Sequence, residues 1–202
     1  MVEKDVVDKI KELPVSDTLK DSFIKMYEKS VRSTPYENLY TMAPRTFGQW
    51  GEKHINALYP EVKLATKKNL QEEYPEFDGE FDLWYMGKRI EVKACRANQG
   101  AGPGTLLDRA YTLDDALEHN FKYHFQQIKP SCCDKFVFVG IHLDTVCYWV
   151  VPSSDFAEMK GFSSQHRNNS ENDEIYEGQI FKTYEDLKPY LVEENNILEY
   201  LK

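Results

Sequence analysis

Two carboxylates and an ammonium group, Asp82, Glu91 and Lys93, stand at positions that a short hairpin would bring onto one face. Segments of alternating apolar and polar residues, Glu80 to Tyr85 and Lys88 to Cys95, flank Met86-Gly87, a dipeptide suited to a two-residue hairpin loop. With Tyr85 facing Lys88 across that loop, Asp82 is expected opposite Glu91, and Lys93 shares their face. Phe81, Leu83, Tyr85, Ile90, Val92 and Ala94 then turn the other way and form a core side, as the period of two requires. Facing carboxylates sit roughly 4.5 to 5.5 Å apart at Cβ and repel, so a compensating cation is expected. A hard ion such as Mg²⁺, with Mn²⁺ as its substitute, takes one or two carboxylates and leaves its remaining positions to water and phosphate. Such an ion lowers the pKa of a bound water, polarises a scissile phosphate and stabilises the leaving oxygen. Lys93 is placed to hold or deprotonate the attacking water and to offset the charge of the pentavalent transition state. The same residues also describe a solvated strand face on which Lys93 merely neutralises Glu91 or Asp82.

The pattern, Asp82 and then Glu91-Val92-Lys93 on the next strand, resembles the active-site signature of the PD-(D/E)xK nuclease superfamily, whose fold most type II restriction endonucleases share. A helix before the hairpin, a helix after it and two further apolar strands are similar to that family's common core over roughly residues 45 to 151. Phe81 stands where the signature often has proline. The resemblance implies an α/β fold with a restriction-endonuclease-like core, a central mixed β-sheet flanked by helices. It implies Asp82 and Glu91 as Mg²⁺ ligands and Lys93 as the catalytic lysine. In that family a glutamate on the helix before the hairpin often approaches the metal, which makes Glu52 a further ligand or water-orienting group, against a plain solvated glutamate.

The elements that must position these groups follow from apolar spacing. Val2 to Leu13 and Val15 to Val31 have helical periodicity, with Ser16 or Asp17 able to cap the second, and form an N-terminal helical extension within residues 1–44. Thr46 to Leu58 is the next helix, with Phe47, Trp50, His54, Ile55 and Leu58 on one stripe; Glu52 lies off it and His54 reads as packed core. Leu113 to Lys129 reads as a helix with Leu117, Phe121, His124 and Ile128 along one face, ended by Pro130. Gln126, Gln127 and Lys129 near its end are placed to reach phosphate or a metal-bound water, against ordinary surface roles. Phe136 to Leu143 and Val146 to Val151, joined at Asp144-Thr145, are central strands. Residues 152–202 form a C-terminal loop and helix, Tyr184 to Leu201, interrupted at Pro189.

Two polar stretches are candidate readers of nucleic acid. Cys95 to Gly104 is a glycine-rich loop in which Arg96, Asn98 and Gln99 carry the groups that hydrogen-bond guanine and adenine edges. No GK[ST] follows, so it is not a phosphate-binding loop. The second stretch, Ser163 to Glu174, contains Arg167 and Asn168, which either read bases or lie on a solvated loop.

Composition sets the outer limits. A chain of 202 residues with 41% apolar content suits one domain with a sizeable core. Met1 to Leu13 has no apolar leader segment and no stretch approaches a membrane span, so a soluble, cytoplasmic protein with no membrane partner is expected. Cys95, Cys132, Cys133 and Cys147 lack a zinc-ligand spacing and read as reduced thiols. The net charge of -9 argues against a general nucleic-acid binder, but residues 171–202 hold nine acids and three bases, so most of the acidity lies in the tail. The leading expectation is a homodimeric type II restriction endonuclease. It would cut both strands of a short site in double-stranded DNA with Mg²⁺, leave 5'-phosphates, and have a cognate methyltransferase encoded nearby. A repair or junction-resolving endonuclease of the same superfamily, or a DNA-binding protein whose site no longer cuts, are the alternatives.

Overall fold

The computed structural model describes residues 4–31, 34–164 and 177–202, and the chain divides into two compact units, Met1–Pro35 and Tyr36–Lys202. The first unit pairs two helices, α1 (Lys4–Lys11) and α2 (Asp17–Val31), at the places their apolar spacing indicates. Pro14 lies between them, and the Ser16 carbonyl receives the amides of Leu19 and Lys20 at 3.0 Å as α2 begins.

The second unit opens with α3 (Glu37–Thr41) and α4 (Pro44–Leu58), the latter started by a proline at its first position. Its strands, in chain order, are β1 (Lys63–Leu64), β2 (Leu83–Tyr85), β3 (Lys88–Arg96), β4 (Tyr123–Ile128), β5 (Lys135–Ile141), β6 (Val146–Pro152), β7 (Ser163–Ser164), β8 (Gly178–Lys182) and β9 (Leu191–Val192). Short helices α5 (Leu113–Glu118), α6 (Tyr184–Leu187) and α7 (Ile197–Tyr200) complete it. A six-stranded sheet runs β1-β2-β3-β5-β6-β9 and a three-stranded one β4-β8-β7. The larger sheet is mixed, because β3 and β5 run parallel while its other neighbours are antiparallel. The fold is therefore α/β, with helices flanking a mixed sheet.

Alternation along the strands gives the larger sheet two apolar faces. On one, Ile90, Val92, Val137, Val139, Tyr148 and Val150 pack against Tyr40, Phe47 and Ile55 of the helices. On the other, Phe136, Phe138, Trp149 and Val151 pack under Tyr123, Phe125, Ile128 and Ile180 of the small sheet. The ring of Phe125 stacks on that of Phe138 with centroids 4.2 Å apart. Gly140 is required at the centre of this face: a Cβ there would stand 2.7 Å from the Trp149 ring and 2.8 Å from that of Tyr123.

Two expected helices are corrected. The helix from Leu113 stops at Glu118 and the chain continues as strand β4. Asn120 takes a left-handed φ of 49°, and the amides of Asn120 and Phe121 return to the carbonyls of Leu117 and Ala116 at 3.1 and 2.8 Å, a Schellman ending. Beyond it the period is two: Tyr123 and Phe125 are buried while His124 and Gln126 face outward. Leu117, which the helical stripe placed in the core, is 43% exposed. The region 184–201 is likewise no single helix. Pro189 sits in a 3-10 turn, and Leu191–Val192 then joins the large sheet beside β6, because edge pairing satisfies backbone groups that proline cannot satisfy in a helix.

Candidate active site

The hairpin between β2 and β3 turns at Met86 and Gly87, with φ of 47° and 79°, the double positive φ of a type I′ loop. Pairing runs Tyr85 with Lys88, Trp84 with Arg89 and Leu83 with Ile90, and there the ladder ends. Asp82 therefore does not occupy the next rung opposite Glu91, as the register alone implies. Its amide donates to the Ile90 carbonyl at 3.0 Å and its own carbonyl accepts from Ala65 at 2.8 Å, while its carboxylate accepts from the Val92 amide at 2.8 Å. The same departure carries Phe81 away from the face of Leu83 and into the opposite core, 4.9 Å from the Phe77 ring and 5.9 Å from Trp84.

The early end of β2 creates the site. Among the described residues, β3 from Glu91 to Arg96 pairs only with β5, so its other edge is open and borders a cleft of about 860 Å³. One wall is α4, which approaches β3 closely at Gly51: a Cβ there would meet Val92 and Ala94 at 3.4 Å. The next residue, Glu52, enters the cleft beside Asp82, Glu91 and Lys93. The opposite wall is β4, where a bulge between Phe125 and Ile128 breaks the register and Gln127 adopts a φ of 56°. Bulges re-aim side chains in this way beside functional sites. His124, Gln126 and Gln127 thus line the same cleft, from a strand where helical spacing had placed a helix.

The charges inside are crowded and poorly hydrated. Glu91 and Lys93 alternate with Val92 on β3 and lie in register with Phe136 and Phe138, so they emerge at the rim of an aromatic core. Their side chains are 15% and 18% exposed and form an ion pair. Burial, and then the nearby Asp82 charge, push the Glu91 carboxyl up to about 7. Glu52 is also pushed up to about 7, again by burial and then by Asp82. Burial raises Asp82 too, against the pull of Lys93 and the Val92 amide. Burial would lower the Lys93 ammonium, but Glu91 and Asp82 outweigh it and leave it above its ordinary value. Burial thus favours the protonated form of all three acids, the Asp82 charge adds to it at Glu91 and Glu52, and Lys93 opposes it.

This donor set fits a hard divalent ion: its oxygens are carboxylate oxygens, and the excess negative charge is what such an ion neutralises. Among the described residues, no group of three or more His, Cys, Asp and Glu side chains is arranged to hold a metal by itself.

The expected DNA-reading residues divide. Arg96 is the last residue of β3, not part of a loop, and its Nη1 donates to the carbonyls of Leu39 and Met42 at 2.9 and 2.8 Å. Its guanidinium lies 4.3 Å over the Phe47 ring, so it ties α3 and α4 to the sheet while the residue also borders the cleft. Asn98 uses its amide locally, donating to the Arg96 carbonyl and accepting from the Gly100 amide, both at 2.8 Å, although it still borders the cleft. Gln99 is exposed, with its backbone amide donating to the Arg109 carbonyl at 2.9 Å. Arg167 and Asn168 lie outside the described residues. His54 is half-buried, as its place on the apolar stripe implies. It stacks 4.5 Å from Trp50 and lies 2.7 Å from the Tyr148 hydroxyl, which in turn donates to Glu194.

Sequence reading missed Arg45 and Gln49 of α4, and assigned His124 to a helix face; all three line the cleft. The alternation of Tyr123 and Phe125 was the available signal for the last. Among the described residues no helix is long and apolar enough to cross a membrane. Neither comparison with known protein families nor comparison with curated proteins finds a match for this chain.

Proposed function

We propose that this protein is a Mg²⁺-dependent endonuclease that hydrolyses phosphodiester bonds in DNA. The observation that carries the reading is the convergence of Asp82, Glu91, Lys93 and Glu52 on the open edge of β3. Asp82 and Glu91 would hold the ion. When bound, Mg²⁺ supplies a water of lowered pKa and neutralises charge on the phosphate. Lys93 donates to the attacking water and offsets the negative charge that develops on the phosphoryl oxygens. Glu52, facing Asp82 and Lys93 from α4, orients that water from the other side. The fixed partners of Asp82 limit its motion, which keeps the reacting groups in register.

Within this class, resemblance of Asp82 and Glu91-Val92-Lys93 to the PD-(D/E)xK signature favours a type II restriction endonuclease, acting as a homodimer on double-stranded DNA. The test is incubation of unmodified plasmid with purified protein and Mg²⁺, followed by sequencing of the fragment ends. Discrete fragments with 5'-phosphates, lost on Asp82→Ala and Lys93→Ala, are expected. Cutting confined to branched or damaged DNA would favour the repair or junction-resolving alternative. DNA binding without metal and without turnover would reduce the protein to a binding role, and full cutting by Asp82→Ala would remove the site assignment altogether.

A further inference from the structure

The small sheet presents an outer face to solvent beside the cleft. His124 pairs with Phe181 across β4 and β8, and the two rings stack with centroids 3.9 Å apart and planes at 15°. Phe181 is 49% exposed, a large apolar ring that the sheet's own core, built from Tyr123, Phe125 and Ile180 on the reverse side, does not use. The stack is held in place: His124 Nε2 lies 2.8 Å from Gln179 Oε1, and the Gln126 amide nitrogen lies 3.1 Å from His124 Nε2 and 3.3 Å from Nδ1. His124 and Gln126 also line the cleft that holds Asp82, Glu91 and Lys93, so the face continues directly into the candidate active site.

Charge identifies the occupant. In a chain with 34 acids and 25 bases, the outward strand residues His124, Gln126, Gln179 and Phe181 include no carboxylate. No carboxylate on this face repels a phosphate, and carboxamides bond the edges of bases. Aromatic side chains stack on unpaired bases irrespective of sequence, a contact a paired base inside a duplex does not offer. We infer that the His124–Phe181 stack, flanked by Gln126 and Gln179, binds an unstacked nucleobase of the DNA strand whose phosphate enters the cleft. The inference rests on the endonuclease reading and narrows it: the substrate is DNA with a base out of the helix beside the scissile bond, whether flipped, at a branch or at an end.

The experiment uses the full chain without metal, so that DNA is bound and not cut, and oligonucleotides carrying a single 2-aminopurine, either unpaired or inside a duplex. Stacking on the protein quenches the unpaired probe. Phe181→Ala is expected to abolish that quench and weaken binding of the unpaired-base oligonucleotide roughly 5- to 150-fold; Phe181→Tyr keeps both. Equal quench and affinity in Phe181→Ala would overturn the inference. So would a wild-type protein that cuts plasmid with Mg²⁺ yet never quenches the probe, a result that leaves the endonuclease reading standing. A protein that neither binds nor cuts any DNA would overturn both.

Discussion

The Val92 amide donates to the Asp82 carboxylate at 2.8 Å, so the residue at which β2 leaves the ladder is held by the strand it no longer pairs with. Position and charge at Asp82 are thereby separable. Asparagine offers the same acceptor oxygen without the charge. Asp82→Asn should keep the fold, with a melting temperature at or above wild type because a buried repulsion is removed. Cleavage should fall about 100-fold or more. Circular dichroism melting and plasmid digestion check the two halves, and loss of both together would mean that the charge is structural.

Neutralisation of the carboxylates by Mg²⁺ should register as stability. An ion at about ten times its dissociation constant adds roughly 1.4 kcal/mol, or about 3–6 °C in melting temperature for a chain of this size. Glu91→Gln should lose most of that gain while retaining the contact surface of the side chain. An identical Mg²⁺ shift in Glu91→Gln would remove Glu91 from the ligand set.

Acid sensitivity should come from His142. It is fully buried, with Nε2 2.8 Å from the Tyr123 hydroxyl, and burial pushes its pKa down to about 4. An unfolded histidine protonates near 6.5, so between about pH 6.5 and 4 the unfolded chain takes up a proton that the folded one refuses. The share of stability that depends on His142 falls as pH falls through that window, by on the order of 3 kcal/mol, while Glu52 and Glu91, whose carboxyls are raised to about 7 in the folded chain, act with the opposite sign. In His142→Gln this part of the pH dependence should vanish, as urea unfolding at a series of pH values would reveal.

Arg96 should matter for stability and not for the choice of DNA sequence. Arg96→Ala removes two charge-assisted hydrogen bonds to backbone carbonyls and leaves those carbonyls short of a donor. A loss of about 2 kcal/mol is expected in denaturant unfolding. A changed cutting site with unchanged stability would restore it as a base reader.

At Asn120 the left-handed backbone that ends α5 predicts an asymmetric series. Asn120→Gly should be neutral or slightly stabilising, whereas Asn120→Val, β-branched at a φ of 49°, should cost about 1–2 kcal/mol. Equal melting temperatures for the two variants would mean that the turn relaxes without penalty.

Local rules sufficed for the hairpin. The turn at Met86-Gly87, the pairing of Tyr85 with Lys88 and the burial of Ile90 and Val92 depend on neighbours in sequence and on a period of two, and all are found. The stripe on α4 and the apolar runs of β5 and β6 were legible for the same reason. What local periodicity could not supply was the end of a pattern. Leu117, Phe121, His124 and Ile128 satisfy helical spacing, yet Asn120 stops the helix and Tyr123 and Phe125 gain more by packing on Trp149 and Phe138. Arg96 looked like a loop residue because glycines follow it, but its partners Leu39 and Met42 lie more than fifty positions away.

The chain by itself thus determined which chemical groups are available and that Asp82, Glu91 and Lys93 would come close together, since a two-residue turn leaves adjacent strands little freedom. Tertiary structure decided that they face a cleft: β2 must end early, α4 must approach at Gly51, and β4 must arrive from the far side with His124 and Gln126. Those three conditions join segments distant in sequence, and packing of the two cores selects them where no local propensity can.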